Sequence, residues 1–171
     1  MRAIFLILCS VLLNGCLGMP ESVKPVSDFE LNNYLGKWYE VARLDHSFER
    51  GLSQVTAEYR ARNDGGISVL NRGYSEEKGE WKEAEGKAYF VNGSTDGYLK
   101  VSFFGPFYGS YVVFELDREN CSYAFVSGPN TEYLWLLSRT PTVERGILDK
   151  FIEMSKERGF DTNRLIYVQQ Q

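Results

Sequence analysis

The chain has one histidine, three cysteines and five prolines in 171 residues. With His46 as the sole imidazole, Ser/His/Asp catalysis would have to be built wholly around it. No spaced Cys/His cluster is available to hold a metal, and no glycine-rich phosphate loop precedes a helical pattern. No cofactor is expected. An excess of basic residues is missing too: 19 Lys and Arg stand against 23 Asp and Glu, a formal charge of −4. That balance excludes a general nucleic-acid binder, which neutralises phosphates with a basic surface. The apolar run at residues 3–13 is shorter than the roughly 20 residues of a membrane-spanning helix. What is present is 43% hydrophobic and 15% aromatic, enough for one folded domain that buries roughly 70% of its unfolded surface.

Arg2 followed by the 3–13 run has the form of a secretory signal. Leu13, Asn14, Gly15 and Cys16 resemble the lipobox of bacterial lipoproteins, with Asn14 the less usual member. An ordinary signal peptide with an incidental cysteine is the alternative. The resemblance implies that residues 1–15 are removed and that Cys16 is the lipid attachment site, leaving 156 residues with a charge of −5. Several acyl chains make such an anchor stable, where one alone is marginal. Cys9 leaves with the signal, so Cys121 is then the lone thiol and no intramolecular disulfide can form. By resemblance to sorted lipoproteins, Leu17 after the cysteine, in place of aspartate, implies the outer membrane, facing the periplasm. Residues 16–27, with Pro20 and Pro25, read as a lipidated tether, and residues 28–171 as the folded domain.

Eight segments rich in Tyr, Phe, Val and Trp alternate with turn signals, at 38–44, 55–62, 67–74, 81–91, 98–104, 111–117, 122–128 and 133–139. This spacing predicts an antiparallel sandwich or barrel. Turns at 63–66 and 92–94 join neighbouring strands up-and-down. Thr140 as cap and Pro141 as first residue predict a helix that Gly159 closes, with Ile147, Leu148, Phe151 and Ile152 on its apolar stripe against the outside of the sheet. Residues 165–168 add a short last strand, and the final glutamines are expected to fray. One face of the second strand carries Val55, Ala57, Tyr59 and Ala61, and one face of the fourth carries Ala84, Gly86, Ala88 and Phe90. Such small inward residues suit a closed barrel with an internal cavity; a barrel filled by its own side chains is the alternative.

Gly36, Lys37 and Trp38 form a G-x-W motif ahead of this strand series, and Arg139 stands at the end of the last strand, before the helix. In these features the chain resembles the lipocalin family, and in RLDHSFERGL, NRGYSEEKGEW and YLWLLSRTPTV its bacterial and apolipoprotein D-like branch. The resemblance implies an eight-stranded up-and-down antiparallel β-barrel with one C-terminal helix packed outside. It also implies that Arg139 packs over Trp38 and, with Gly36, closes the barrel. Where many lipocalins have Thr-Asp-Tyr, this chain has Leu116, Asp117 and Arg118, keeping only the aspartate.

By the same resemblance the function is binding, storage or transport of hydrophobic ligands, fatty acids or lysophospholipids, in outer-membrane maintenance. The cavity is expected among Val55, Ala57, Tyr59, Ala88, Phe90, Val101 and Phe103, with Tyr108 and Trp135 in it or at its mouth. Glu40 shares the phase of Trp38 and Ala42 and points inward, while Arg43 lies on the opposite phase, so the partner of Glu40 stays unnamed. A lipocalin-like enzyme using His46 or Cys121, or a filled barrel acting as a protein-interaction module, are the competing functions. His46 is expected to be exposed or packed in its loop, and Cys121 to be a small buried or turn residue. The aromatic stretch at 103–111 offers a patch for self-association into a homodimer.

Overall fold

The structure, a computed structural model, describes residues 17–170. The signal segment and Cys16 lie outside the described residues. After a helical turn, α1 (Leu31–Tyr34), come β1 (Gly36–Arg43), β2 (Leu52–Ala61), β3 (Ile67–Ser75), β4 (Glu80–Phe90), β5 (Tyr98–Phe104), β6 (Phe107–Leu116), β7 (Tyr123–Ser127) and β8 (Leu134–Ser138). Each pairs antiparallel with its successor, β8 pairs with β1, and the β1–β2 pairing closes the sheet into a barrel. The strands form where alternation puts apolar side chains on one face. The turns form where short polar side chains satisfy the backbone, as Asp64 accepts the Gly66 N–H.

Inside the barrel, Trp38, Tyr59, Ile67, Val69, Val113 and Val126 belong to one buried cluster. Outside it, Ala42, Val112, Phe125, Leu134 and Leu136 form a second cluster with Phe151 of α2 (Arg145–Glu157). The helix begins four residues later than its sequence signals suggest. Thr140 uses its hydroxyl on the Thr142 carbonyl, and its N–H is taken by Ser138 Oγ, so its capping groups serve a turn. The helix ends where expected: Gly159 takes φ +83°. The N–H groups of Gly159 and Phe160 return to the carbonyls of Lys156 and Ser155, a Schellman closure that a residue with a Cβ would strain.

Three further segments depart from the sequence reading. β6 starts at Phe107, because the hairpin tip contracts to Gly105 and Pro106. Residues 17–27, expected to run as a tether, lie along the barrel: Val23 and Val26 are buried, Val26 and Val113 share a backbone hydrogen bond, and the Gly18 N–H reaches Ser110 Oγ at 2.9 Å. A stretch without periodicity can still dock through isolated valines. The glutamines at the other end are held as well. After β9 (Ile166–Tyr167), which pairs with β1, the Gln54 N–H bonds Gln169 O, and Gln170 Nε2 donates to the carbonyls of Glu40 and Val55.

Those contacts fall on two bulges. The β1–β8 register shifts between Glu40 and Ala42, and the β2–β3 register between Ser53 and Thr56, where Gln54 takes φ +51°. A bulge leaves backbone groups without ladder partners, and the C-terminal residues supply them.

Candidate ligand-binding cavity

At the closed end, Trp38 is fully buried and donates from Nε1 to the Tyr34 carbonyl at 2.8 Å. The Arg139 guanidinium lies 3.9 Å from the Trp38 ring centroid and donates to the carbonyls of Asn33, Leu35, Lys37 and Cys121. Gly36 takes φ +96°, and a Cβ built there would meet Arg139 Nη1 at 3.5 Å. The glycine thus supplies a left-handed backbone where the first strand passes the arginine. A stacked guanidinium of this kind contributes roughly 0.5–2 kcal/mol beyond its hydrogen bonds. Asp117 organises the neighbouring loop by accepting from the N–H groups of Glu119, Asn120 and Ser122 and from the Ser122 hydroxyl. The aspartate alone therefore shapes the turn after β6.

Above this floor the barrel encloses a cavity of about 100 Å³. An apolar cavity of roughly 150 Å³ takes up benzene. At about two-thirds of that volume, this cavity takes a few methylenes between the walls as they stand, and a ring or a long acyl chain needs wall side chains to swing aside. Val55, Ala57, Tyr59, Ala88, Val101, Phe103 and Trp135 line it, all residues that the sequence pointed to. Phe103 lies over Gly86, where a Cβ would come within 2.8 Å of its ring.

Two of the sequence candidates fall elsewhere. Tyr108 is on the outer face, with the Lys100 ammonium 5.1 Å from its ring and Tyr89 at 6.5 Å. Tyr111, three residues on, takes the inward phase instead. Phe90 packs edge-on against Phe29 at 6.0 Å and belongs to the core rather than the wall. Ala84 is exposed, because β5 pairs with β4 only from Lys87 to Phe90.

Near the mouth the lining turns polar. Glu40 and Glu49 both face the cavity and are nearly fully buried. Arg43 donates to Glu40 Oε1 at 2.6 Å and to the carbonyls of Glu49 and Leu52. The partner of Glu40 is thus the residue that strict alternation put on the other side. The bulge at Val41 is the reason: it turns Ala42 outward to the helix cluster and Arg43 inward. Burial pushes both carboxyls above the usual range, Glu40 well above, and for Glu40 the charge of Glu49 adds to it. Physically, two carboxyls buried near one another each hold a proton more tightly than a free carboxyl does, and the one guanidinium offsets part of that.

The loop after β1 covers this group. His46 is buried, stacked on Phe48 at 4.0 Å and close to Trp135 at 5.0 Å. Burial, then the charge of Arg43, lowers its pKa to about 4. Its Nε2 lies 3.2 Å from Glu49 Oε2 without hydrogen-bond geometry, so a neutral imidazole packs there rather than pairing. Glu49 Oε2 instead accepts from Trp135 Nε1 at 3.1 Å. Cys121 is buried in the turn before β7, and burial pushes its thiol up, away from the thiolate that chemistry requires. Among the described residues there is no group of three or more His, Cys, Asp or Glu able to hold a metal.

Residues 29–170 match the family model described as a lipocalin-like domain. The chain belongs to the lipocalin family. It is 99% identical over 171 residues, the full length of both chains, to the outer membrane lipoprotein Blc of Vibrio cholerae. It is 51% identical over 151 residues to the Escherichia coli protein of that name, covering 88% of this chain and 85% of the other. Mouse apolipoprotein D is 29% identical over 161 residues, covering 89% and 82%. Among solved structures, insecticyanin from the tobacco hornworm superposes with a TM-score of 0.72 over 90% of this chain and 87% of that one, at 23% identity. The lipocalin barrel is therefore shared where few side chains are. Among lining residues, sequence reasoning missed Glu49 and Phe48, which a loop without periodicity brings to the mouth. It also missed Ile67, Val69 and Tyr111, whose alternation was legible once the neighbouring strand was in register.

Proposed function

We propose that this lipocalin is anchored to the outer membrane through lipidated Cys16, faces the periplasm, and binds and stores or transports fatty acids or lysophospholipids in envelope maintenance. The relatives named as outer membrane lipoproteins support the location. The enclosed, mostly apolar cavity carries the ligand reading. Each buried methylene contributes about 0.8 kcal/mol, against association costs of about 4–15 kcal/mol, so a chain of moderate length binds weakly to submicromolar. Binding suits the site better than catalysis, because His46 is packed and neutral and Cys121 is buried and protonated. Phe104 and Phe107, 78% and 66% exposed at the β5–β6 tip, support self-association as a homodimer.

The test is extraction of the purified domain, made without its anchor, followed by mass spectrometry, and titration with fatty acids and lysophospholipids. Trp135 reports on the cavity, while Trp81 is exposed on β4 and gives background. Recovery of near-stoichiometric lipid and a saturable change in tryptophan emission are expected. No recovered lipid together with unchanged emission overturns the reading.

A further inference from the structure

Three tyrosines meet at the floor of the cavity. Tyr34 and Tyr111 hydroxyl oxygens are 2.6 Å apart, and those of Tyr59 and Tyr111 are 2.8 Å apart. All three residues line the cavity, and Tyr34 and Tyr59 are more than nine-tenths buried. A phenol carries one proton to donate and two lone pairs to accept with. Two contacts among three hydroxyls therefore use two protons and leave one over. No other hydrogen bond is made by these hydroxyls among the described residues. Rotation of the three hydroxyls passes the spare proton along the row, so it can be presented from whichever oxygen a ligand approaches. Burial raises the pKa of all three, so the row stays fully protonated and acts as a donor.

We propose that this row is a floor subsite for an uncharged oxygen acceptor at the leading end of an otherwise apolar ligand: a ketone, an ester or an un-ionised carboxyl. A carboxylate is the wrong partner. The charged residues lining the cavity are Glu40 and Glu49, both acidic, and the Arg139 guanidinium is stacked on Trp38 and spent on backbone carbonyls rather than lining the cavity, so an anion entering past the two carboxyls meets no cation on the wall. The floor thus selects among hydrophobic molecules by a neutral oxygen at the buried end. This rests on the reading of the barrel as a container for hydrophobic ligands, and it narrows that ligand class.

The test compares methyl heptyl ketone with nonane, two chains of equal reach, by titration of tryptophan emission in the anchor-free domain. The ketone is expected to bind about tenfold more tightly, the effect of satisfying one buried donor. The infrared carbonyl stretch of the bound ketone is expected below its value in hexane. Replacing all three tyrosines (Tyr34→Phe, Tyr59→Phe, Tyr111→Phe) removes donors and acceptors together and leaves no orphan. In that variant the preference should fall to within about twofold while nonane still binds. Equal binding of the two probes to the unaltered domain, or a carbonyl stretch as in hexane, overturns the subsite and leaves the container reading standing. A preference that survives in the triple variant overturns the subsite as well. Binding of neither probe overturns the container reading, and the subsite with it. The infrared measurement needs only the unaltered protein, so it decides the matter even where the triple variant does not fold.

Discussion

Replacing Arg43 by methionine tests the polar group at the mouth most directly. The side chain is 2% exposed and its partner Glu40 4%, so the pair has little solvent to fall back on. Removing one member of such a pair costs about 3–5 kcal/mol, because the other charge stays buried alone. Loss of the guanidinium from the Glu49 and Leu52 carbonyls adds roughly 1–2 kcal/mol. The sum is a large part of the 5–15 kcal/mol that holds a typical domain. Adding Glu40→Met in the same chain replaces the pair by apolar groups and should leave only the carbonyl cost, a recovery of about 3 kcal/mol. With a urea slope of about 2 kcal/mol/M, that recovery moves the unfolding midpoint up by about 1.5 M relative to Arg43→Met alone. The deficit of the single variant should also grow as pH rises. Without Arg43 the Glu40 carboxyl is raised further, and a group raised in the folded state gives up stability as pH climbs through its folded pKa. Urea unfolding followed by tryptophan emission measures both effects. A double variant no more stable than the single one would refute the ion pair as the reason Arg43 is buried.

Other outcomes follow from the same geometry. Gly86→Val should force Phe103 off its seat and press on the Ser102 carbonyl, costing about 3 kcal/mol by overpacking, with weaker ligand uptake in the emission titration. Arg139→Lys keeps the charge but loses the planar fork; its thermal midpoint should fall by roughly 5 °C or more, and an unchanged midpoint would count against the closing role. His46 is neutral when folded and takes up a proton below its ordinary pKa when unfolded, so stability is lost as pH falls from about 6.5 toward about 4. His46→Phe should therefore lose about 1–2 kcal/mol less than the parent between pH 7 and pH 5. Glu40 and Glu49, raised by burial, contribute the opposite slope in both proteins, so the comparison isolates the imidazole apart from its 3.2 Å contact with Glu49. Phe104→Ser with Phe107→Ser should turn any dimer into monomer in sedimentation while leaving the fold unchanged.

An antiparallel sandwich or barrel was legible because two independent signals coincided, a period of two within strands and turn residues between them, and the resemblance to lipocalins singled out the barrel. The closing group was legible through the lipocalin resemblance that Gly36, Trp38 and Arg139 carry by their places in the strand order. What escaped depends on pairing between distant segments. The bulge at Val41 is invisible in WYEVAR, since it exists only against β8 and is completed by the Val168 and Gln170 contacts made more than 120 residues later. One extra residue there reversed the side of Arg43 and hid the partner of Glu40. Tyr108 was misplaced for a related reason: in an aromatic run, size gives no phase, and only the register with β5 shows that Tyr111 faces inward. The helix start failed because Thr140 and Pro141 are equally good turn residues, and the turn took them.

The docked segment at residues 17–27 bears on the attachment proposed at Cys16. Gly18 is fixed to Ser110 and Ser22 to the Arg158 carbonyl, so if Cys16 carries the proposed lipid, two residues, at most roughly 7 Å, separate the anchor from the docked segment. On so short a leash the barrel would neither wander from the bilayer nor turn freely above it. Its height and tilt would then follow from the hydrogen bonds and the two buried valines that dock residues 17–27, and the distance between bilayer and cavity would be a property of the fold.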